Sequence, residues 1–160
     1  MTMHSLNSFI NHLAEMAGHV LVAEHQALKK AAEIVEKEAK SEFGEYQSAI
    51  GTFAAWEQLA SSTQDDRVAK GYSPNNPLLR DGTLRESISH EVHGLTAAIG
   101  STSDVMVYQE LGTEKIPPRA VLGPSLMRKR KQVLQLVGAY TAGAMLHGSA
   151  ISHMPTITED

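Results

Sequence analysis

Residues 88–100, ISHEVHGLTAAIG, decide the fold class of this chain. Ile88, His90 and Val92 alternate with more polar residues over 88–93. The same alternation returns over 95–99, where Leu95, Ala97 and Ile99 occupy every second position. A period of two is typical of β-strands with one covered face. His93-Gly94 lies between the two runs, where a tight turn is expected. The segment therefore predicts a small antiparallel hairpin.

Long helical patterns lie on both sides of this hairpin. From Ser5, a plausible N-cap, to Phe43, apolar residues recur every three to four positions with no proline, and Gly44 follows as a stop. Pro124 fits the first turn of a last helix, which ends near Leu146. We therefore expect an α+β fold, a small antiparallel β-sheet with a long N-terminal helix and a C-terminal helix.

Shorter elements are expected between these. They are a helix over 54–68, a loop over 71–77, a one- to two-turn helix over 83–87, and a helix over 104–111 with Ser103 as N-cap. Residues 1–146 are predicted to form a single domain, made of the helix 5–43 and an α+β body 44–146, and residues 147–160 a flexible tail.

The apolar stripe of each long helix predicts the face that is buried. On the first helix it consists of Ile10, Leu13, Ala17, Val20, Leu21, Leu28, Ala31, Ile34, Val35 and Ala39. On the last helix it consists of Leu126, Val133, Val137, Tyr140 and Ala144. The first helix would span roughly 55–60 Å, so part of it is expected to reach beyond its own subunit.

Composition excludes several classes of protein. The 160 residues are 42% hydrophobic and 20% charged, which is typical of a globular chain. The absence of cysteine excludes disulfides, thiol nucleophiles and Cys-ligated zinc. No apolar run approaches the ~20 residues of a membrane span, and the N-terminus lacks a signal-peptide pattern, so we expect a soluble protein made in the cytoplasm.

Charge is unevenly distributed along the chain. The net charge of -4 is too acidic for a general nucleic-acid binder. Residues 1–66 hold ten acidic and four basic groups, whereas residues 67–160 hold eight acidic and ten basic groups. This asymmetry fits either an acidic helix surface or a subunit whose two ends attract unlike surfaces.

Two histidine pairs suggest metal sites at first sight. His90 and His93 are three apart in a predicted strand, whereas the zinc-hydrolase motif needs two histidines four apart on a helix. His12, Glu15 and His19 can share a helix face, but they lack a further ligand nearby and fit a solvated face. We therefore predict no metal.

The sequence contains no catalytic or cofactor motif. None of the glycines belongs to a phosphate-binding pattern, and no nucleophile elbow is present. The basic cluster Arg128–Lys131 would spread around most of a helix, so it fits a solvated side better than an acidic partner surface or DNA. We expect neither an enzyme nor a cofactor.

Two segments combine turn signals with charged side chains. In residues 78–88, LLRDGTLRESI, Arg80 and Arg85 flank an Asp-Gly turn. In residues 108–124, YQELGTEKIPPRAVLGP, a helix stop, a polar loop and a rigid Pro117-Pro118 pair precede Arg119. A guanidinium held in this way can bind a carboxylate with two parallel hydrogen bonds. Glu110 is a candidate partner, within the subunit or across an interface.

These segments resemble the tail-completion (neck) family of tailed bacteriophages. The matching residues are LLRDGTLRESI at 78–88, Ile-Gly at 99–100 and VYQELGTEKIPPRAVLGPSL at 107–126, with Trp56-x-x-Leu59, Ser62-Thr63 and Gly71-Tyr72. The resemblance covers about residues 45–135. The order of these blocks is specific to the family, whereas each block alone would be a weak signal. Ala120 is a departure, because the family pattern has proline or a bulkier residue at this position.

The resemblance implies an α+β subunit without catalytic residues. It implies a ring, six-fold or alternatively twelve-fold, in the neck of the virion, assembled in the host cytoplasm. Its partners would be portal-side connector or stopper proteins and a tail terminator or tail tube protein. DNA would pass through its lumen without sequence-specific binding, and no membrane is involved. The expected partner or inter-subunit interface consists of Arg80, Arg85, Glu110, Lys115, Pro117, Pro118 and Arg119.

Two other functions stay open. One is a tail terminator or another tail-assembly factor. A terminator would cap the tail tube before any head arrives, and a scaffold-like factor would be absent from the finished particle. The other is a small phage-encoded nucleic-acid-binding regulator, which would need the basic cluster to face DNA.

Overall fold

The computed structural model describes residues 6–147. Its elements are α1 (Leu6–Ser41), α2 (Ser61–Ala69), α3 (Thr83–Glu86), β1 (Ile88–His93), β2 (Thr96–Ser101), α4 (Asp104–Leu111) and α5 (Leu122–His147). The strands β1 and β2 form a two-stranded antiparallel sheet. The α+β class with long first and last helices is therefore confirmed.

The described residues divide into two compact units. The first unit contains residues 6–31, 92–97 and 131–147, and the second contains residues 32–91 and 98–130. The helices α1 and α5 and the hairpin each contribute residues to both units.

The first unit is built from small side chains of α1 and larger ones of α5. Ala23, Ala27 and Ala31 are buried at a spacing of four, which places them on one face of α1. In α5, Tyr140 is buried, and the Lys30 ammonium lies 5.2 Å from the centroid of its ring. At the hairpin turn, His25 Nδ1–H donates to the Gly94 carbonyl at 2.9 Å.

The second unit contains the main hydrophobic core. Its buried members are Ala39, Phe43, Trp56, Leu78, Ile88, Met106 and Val121. They come from α1, α4, the hairpin and three connecting segments, so the core joins elements distant in sequence. The indole N–H of Trp56 donates to the Ala120 carbonyl at 3.0 Å, which satisfies its one polar atom inside the core.

The helix predicted over 54–68 begins later than expected. The helix α2 begins at Ser61, and residues 54–60 have no helical structure. The reason is tertiary: the Trp56 backbone N–H donates to the Gln47 carbonyl at 2.9 Å and its indole to Ala120. These bonds replace the local bonds that a helix would need.

Other boundaries differ by a few residues. The long helix ends at Ser41, and Gly44 follows with a φ of 96°. The hairpin turn is Gly94-Leu95 rather than His93-Gly94, and Gly94 has the positive φ that this turn requires. Ser103 occupies the N-cap position of α4, but its side chain makes no capping hydrogen bond. The predicted N-cap Ser5 and residues 148–160 of the predicted tail 147–160 lie outside the described residues, whereas His147 is the last residue of α5.

The predicted stripes are only partly buried. In the stripe predicted on α1, Ala31, Val35 and Ala39 are buried, whereas Ile10, Leu13 and Leu21 are 42–54% exposed. In α5, Tyr140 and Ala144 are buried as expected, but Leu126 is half exposed and Leu136 is buried instead of Val133. Periodicity indicates a helix, but the covered face depends on which neighbours are present.

Candidate functional site

A cleft of about 730 Å³ in the second unit brings together most of the predicted interface residues. Arg80, Lys115, Pro117 and Arg119 line it, together with residues of α2, α3, α4 and the segment 57–60. We call it the arginine cleft. The remaining predicted residues, Arg85, Glu110 and Pro118, are not among its lining residues.

Arg119 is a buried residue of the arginine cleft, with only 5% of its surface exposed. Its Nη2 donates to the carbonyl of Glu57 at 3.0 Å and lies 3.5 Å from that of Gln58. Its backbone N–H donates to the Gln109 carbonyl at 2.6 Å. Its Nε is buried and has no hydrogen-bond partner. All of these acceptors are neutral, so no carboxylate compensates the charge directly.

Glu110 stabilises the start of α5 and is not the partner of Arg119. Its carboxylate accepts backbone N–H groups of Val121 at 2.8 Å, Leu122 at 3.2 Å and Gly123 at 3.3 Å. These are unpaired donors of the first helical turn, which carries the positive end of the helix dipole. The pair expected between Glu110 and Arg119 within the subunit is therefore wrong.

Arg67 is a second buried guanidinium in the cleft, and the sequence analysis did not identify it. It is 8% exposed, and its Nη1 donates to the carbonyls of Asn76 at 2.8 Å and Leu79 at 3.1 Å. Burial, and then the neighbouring charges of Arg80 and Arg119, lower the pKa of Arg67. In the polar segment SSTQDDRVA nothing distinguishes this arginine from a solvated one, so only the fold shows it.

Two further cations at the cleft are exposed. The Arg80 guanidinium lies 4.8 Å from the centroid of the Tyr72 ring, a distance typical of a cation–π contact. Lys115 lies in the loop after α4 and is also exposed. The neighbouring Asp81 accepts hydrogen bonds from the backbone and hydroxyl of Thr83, which lower the pKa of Asp81 and stabilise the turn before α3.

The loop carrying Lys115 has a defined shape. Thr113 and Ile116 exchange backbone hydrogen bonds at 2.8 and 3.3 Å. Gly112 has a φ of 75°, and a Cβ there would lie 2.9 Å from the backbone nitrogen of Pro118. Only glycine meets both requirements without strain. The proline pair and Gly112 together therefore position the lysine side of the cleft.

The lining of the arginine cleft is both cationic and apolar. Arg67, Arg80, Lys115 and Arg119 face two carboxylates, those of Glu57 and Asp81, which leaves a formal excess of two positive charges. Seven apolar residues share the lining: Leu59, Ala60, Leu78, Leu84, Val105, Ile116 and Pro117. Such a surface suits a ligand that carries negative charge beside apolar groups.

Arg85 lies on the same short helix as the cleft residue Leu84, but its guanidinium contacts Glu86, which is not a lining residue of the cleft. Its Nε donates to the carboxylate of its neighbour Glu86 at 2.9 Å. An exposed pair of this kind contributes little stability. Arg85 therefore offers a matched cation for comparison with Arg80.

Elsewhere in residues 6–147, no group of three or more His, Asp or Glu side chains could hold a metal ion. His90 donates to Glu36, which Lys40 also contacts at 2.7 Å. These contacts, that of Lys40 first, lower the pKa of Glu36. None of the described helices is long and apolar enough to cross a membrane.

Comparison of the chain with family models, with curated proteins and with solved structures finds no match.

Proposed function

We propose that this chain is a structural virion protein of the bacteriophage neck, which forms a ring that joins the DNA-filled head to the tail. One observation carries the proposal. The two segments with the strongest resemblance to neck proteins, 78–88 and 107–126, supply ten of the eighteen residues that line the arginine cleft. The resembling segments therefore supply more than half of the lining of one surface feature.

Exposed apolar side chains support a function in an assembly. Residues 6–22 of α1 expose six large apolar side chains, and α4 exposes Val105, Val107, Tyr108 and Leu111. Clusters of exposed large apolar side chains commonly mark a protein–protein contact. The 36 residues of α1 span about 54 Å, which is long enough to reach a neighbouring subunit in a ring.

The partners follow from the same proposal. The ring would contain six subunits, or alternatively twelve. It would contact a portal-side connector or stopper protein on one side and a tail terminator or tail tube protein on the other. DNA would pass through it without sequence-specific contacts, because a net charge of -4 disfavours tight binding of phosphates.

The basic cluster Arg128–Lys131 gives little support to a nucleic-acid-binding regulator. Arg128 donates to the buried carboxylate of Glu42, and Lys129 lies 3.5 Å from that of Glu38. Two of its four cations are thus already paired with carboxylates of α1. A phosphate-driven regulator would need these cations to be available.

Electron microscopy of a lysate from a phage or prophage that lacks this gene tests the proposal. We expect DNA-filled heads beside complete, unattached tails, and virions restored by the wild-type gene supplied in trans. Tails of uncontrolled length would indicate a tail terminator instead. Normal virions from the deletion strain would contradict a required function in the neck.

A further inference from the structure

We propose that the arginine cleft is the docking site for an acidic, partly apolar segment of a neighbouring protein, whose carboxylate side chain binds the guanidinium groups of the cleft. The inference rests on the proposed function in one respect, because it takes the occupant to be another protein of the assembly. The chemistry of the cleft itself is argued from the second unit alone.

The first argument is the uncompensated charge at the buried arginines. Arg67 and Arg119 are more than nine-tenths buried, and their hydrogen bonds go to backbone carbonyls. A buried cation is costly without a counter-charge, and neutral carbonyls compensate it only in part. A carboxylate that enters the cleft would supply the missing charge.

The second argument is a pair of unsatisfied polar atoms in residues that line the cleft. Arg119 Nε and Gln109 Oε1 are buried without a hydrogen-bond partner, and both residues line the cleft. A buried donor and acceptor without partners are unfavourable, and a ligand that supplies both bonds would remove that cost. An extended peptide carries both kinds of partner, since its carboxylates accept and its backbone N–H groups donate.

The third argument is the apolar surface beside the cations. Val105 lines the cleft, and Tyr108 and Leu111 follow it at a spacing of three along α4, all at least half exposed. Residues three apart lie on one side of a helix, so this apolar strip runs away from the cleft. It would cover apolar side chains that flank the acidic residue of the incoming segment.

A protein segment fits the cleft better than nucleic acid. The two guanidiniums with unmet charge are buried within a concave volume of about 730 Å³, which a single acidic side chain can enter. The phosphates of a DNA duplex lie on a broad, rigid surface and are contacted mainly by exposed cations. The seven apolar lining residues would also have no partner on a phosphate backbone.

The test uses the purified full-length chain and a blocked eight-residue peptide of alternating leucine and glutamate. The control peptide has glutamine in place of glutamate, so it keeps the length and the apolar side chains but has no charge. Calorimetry measures the affinity of each peptide. The fluorescence of Trp56, the only tryptophan, reports whether the peptide binds at the arginine cleft. The Trp56 indole is bonded to Ala120, next to Arg119, and its chain neighbour Glu57 lines the cleft.

We expect saturable binding of the glutamate peptide at or below about 1 mM, with a change in Trp56 fluorescence, and binding of the glutamine peptide at least ~10-fold weaker. Arg80→Gln and Lys115→Gln should each weaken binding about threefold without unfolding the chain, because both side chains are exposed. Arg85→Gln, outside the lining, should bind as the wild type does. Circular dichroism checks that every variant is folded.

Three outcomes would overturn the inference: no saturable binding of the glutamate peptide, equal binding of both peptides, or an equal loss of binding in Arg85→Gln. A twelve-base-pair DNA duplex that binds and changes Trp56 fluorescence where the peptide does not would assign the cleft to nucleic acid. Peptide binding is measured without phage particles. It can therefore fail while the deletion strain still accumulates unattached heads and tails, or succeed while that strain makes normal virions.

Discussion

The two stretches of α1 use apolar residues in opposite ways. In residues 23–39 the apolar positions are mostly small, and Ala23, Ala27, Ala31, Val35 and Ala39 are 0–5% exposed. In residues 6–22 they are large, and Leu6, Phe9, Ile10 and Leu13 are 42–73% exposed. Both stretches have the spacing of an amphipathic helix. The comparison shows that side-chain size and available neighbours, not spacing, decide which part of the helix is packed.

The largest difference between the stretches is expected for a buried charge. Ala39→Asp places a carboxylate in the core of the second unit, whereas Ala14→Asp places one on an exposed position of the same helix. We expect Ala39→Asp to lower the free energy of unfolding by at least about 3 kcal/mol. Ala14→Asp should cost no more than about 0.7 kcal/mol, its helix-propensity difference.

Urea denaturation followed by circular dichroism measures both values. Losses of similar size in the two variants would contradict the difference in packing between the stretches.

A smaller difference is expected when apolar volume is removed. Val35→Ala leaves a cavity beside buried side chains and should lower the free energy of unfolding by about 2 kcal/mol. Ile10→Ala removes more carbon atoms from an exposed position and should cost less than about 0.5 kcal/mol.

Denaturation at a protein concentration where the chain is monomeric separates these two variants. If Ile10→Ala were the more destabilising, residues 6–22 would be packed against something in the free chain.

The smallest difference concerns a carboxylate of the packed stretch. Lys40 and His90 lower the pKa of Glu36 below its ordinary value of 4.5. A lowered folded-state pKa gives stability that is present above the unfolded value and is lost as the pH falls through the folded value. The stability advantage of the wild type over Glu36→Gln should therefore be about 0.5 kcal/mol near pH 7 and disappear between about pH 5 and pH 3.

Glu33→Gln is the matched control, because Glu33 lies on the same helix and is exposed. Thermal unfolding across this pH range compares the variants. A constant difference between the wild type and Glu36→Gln at every pH would show that the contacts of Glu36 do not depend on its charge.

Local patterns identified much of the fold before the structure. The hairpin, the glycine stop after α4 and the place of Pro124 in the first turn of α5 follow from signals within a few residues, and the structure confirms them. The start of α2 does not follow from local signals, because a backbone hydrogen bond from Trp56 to Gln47 determines it. The indole of Trp56 is also bonded to Ala120, 64 residues further along the chain, and a pair so far apart leaves no periodic signal.

The candidate site was identified in part for the same reason. Arg80, Lys115, Pro117 and Arg119 were predicted from turn and proline signals, and the structure places them around one cleft. The burial of Arg119 was not predictable, because its guanidinium is bonded to the carbonyls of residues 57–58, which lie about sixty residues earlier in the chain. Neither was the function of Glu110 in stabilising α5, because a carboxylate in a short helix does not indicate which backbone donors it will reach.

The sequence by itself determined the α+β class, the two long helices, the hairpin and the loop chemistry, because these depend on periodicity, glycine and proline over short distances. Only the tertiary structure decided which faces are buried and which charges are paired. It also brought Arg67 of α2 and Arg119 before α5 into one cleft. The physical reason is that burial and electrostatics depend on neighbours in space, and these two arginines come from segments about fifty residues apart along the chain.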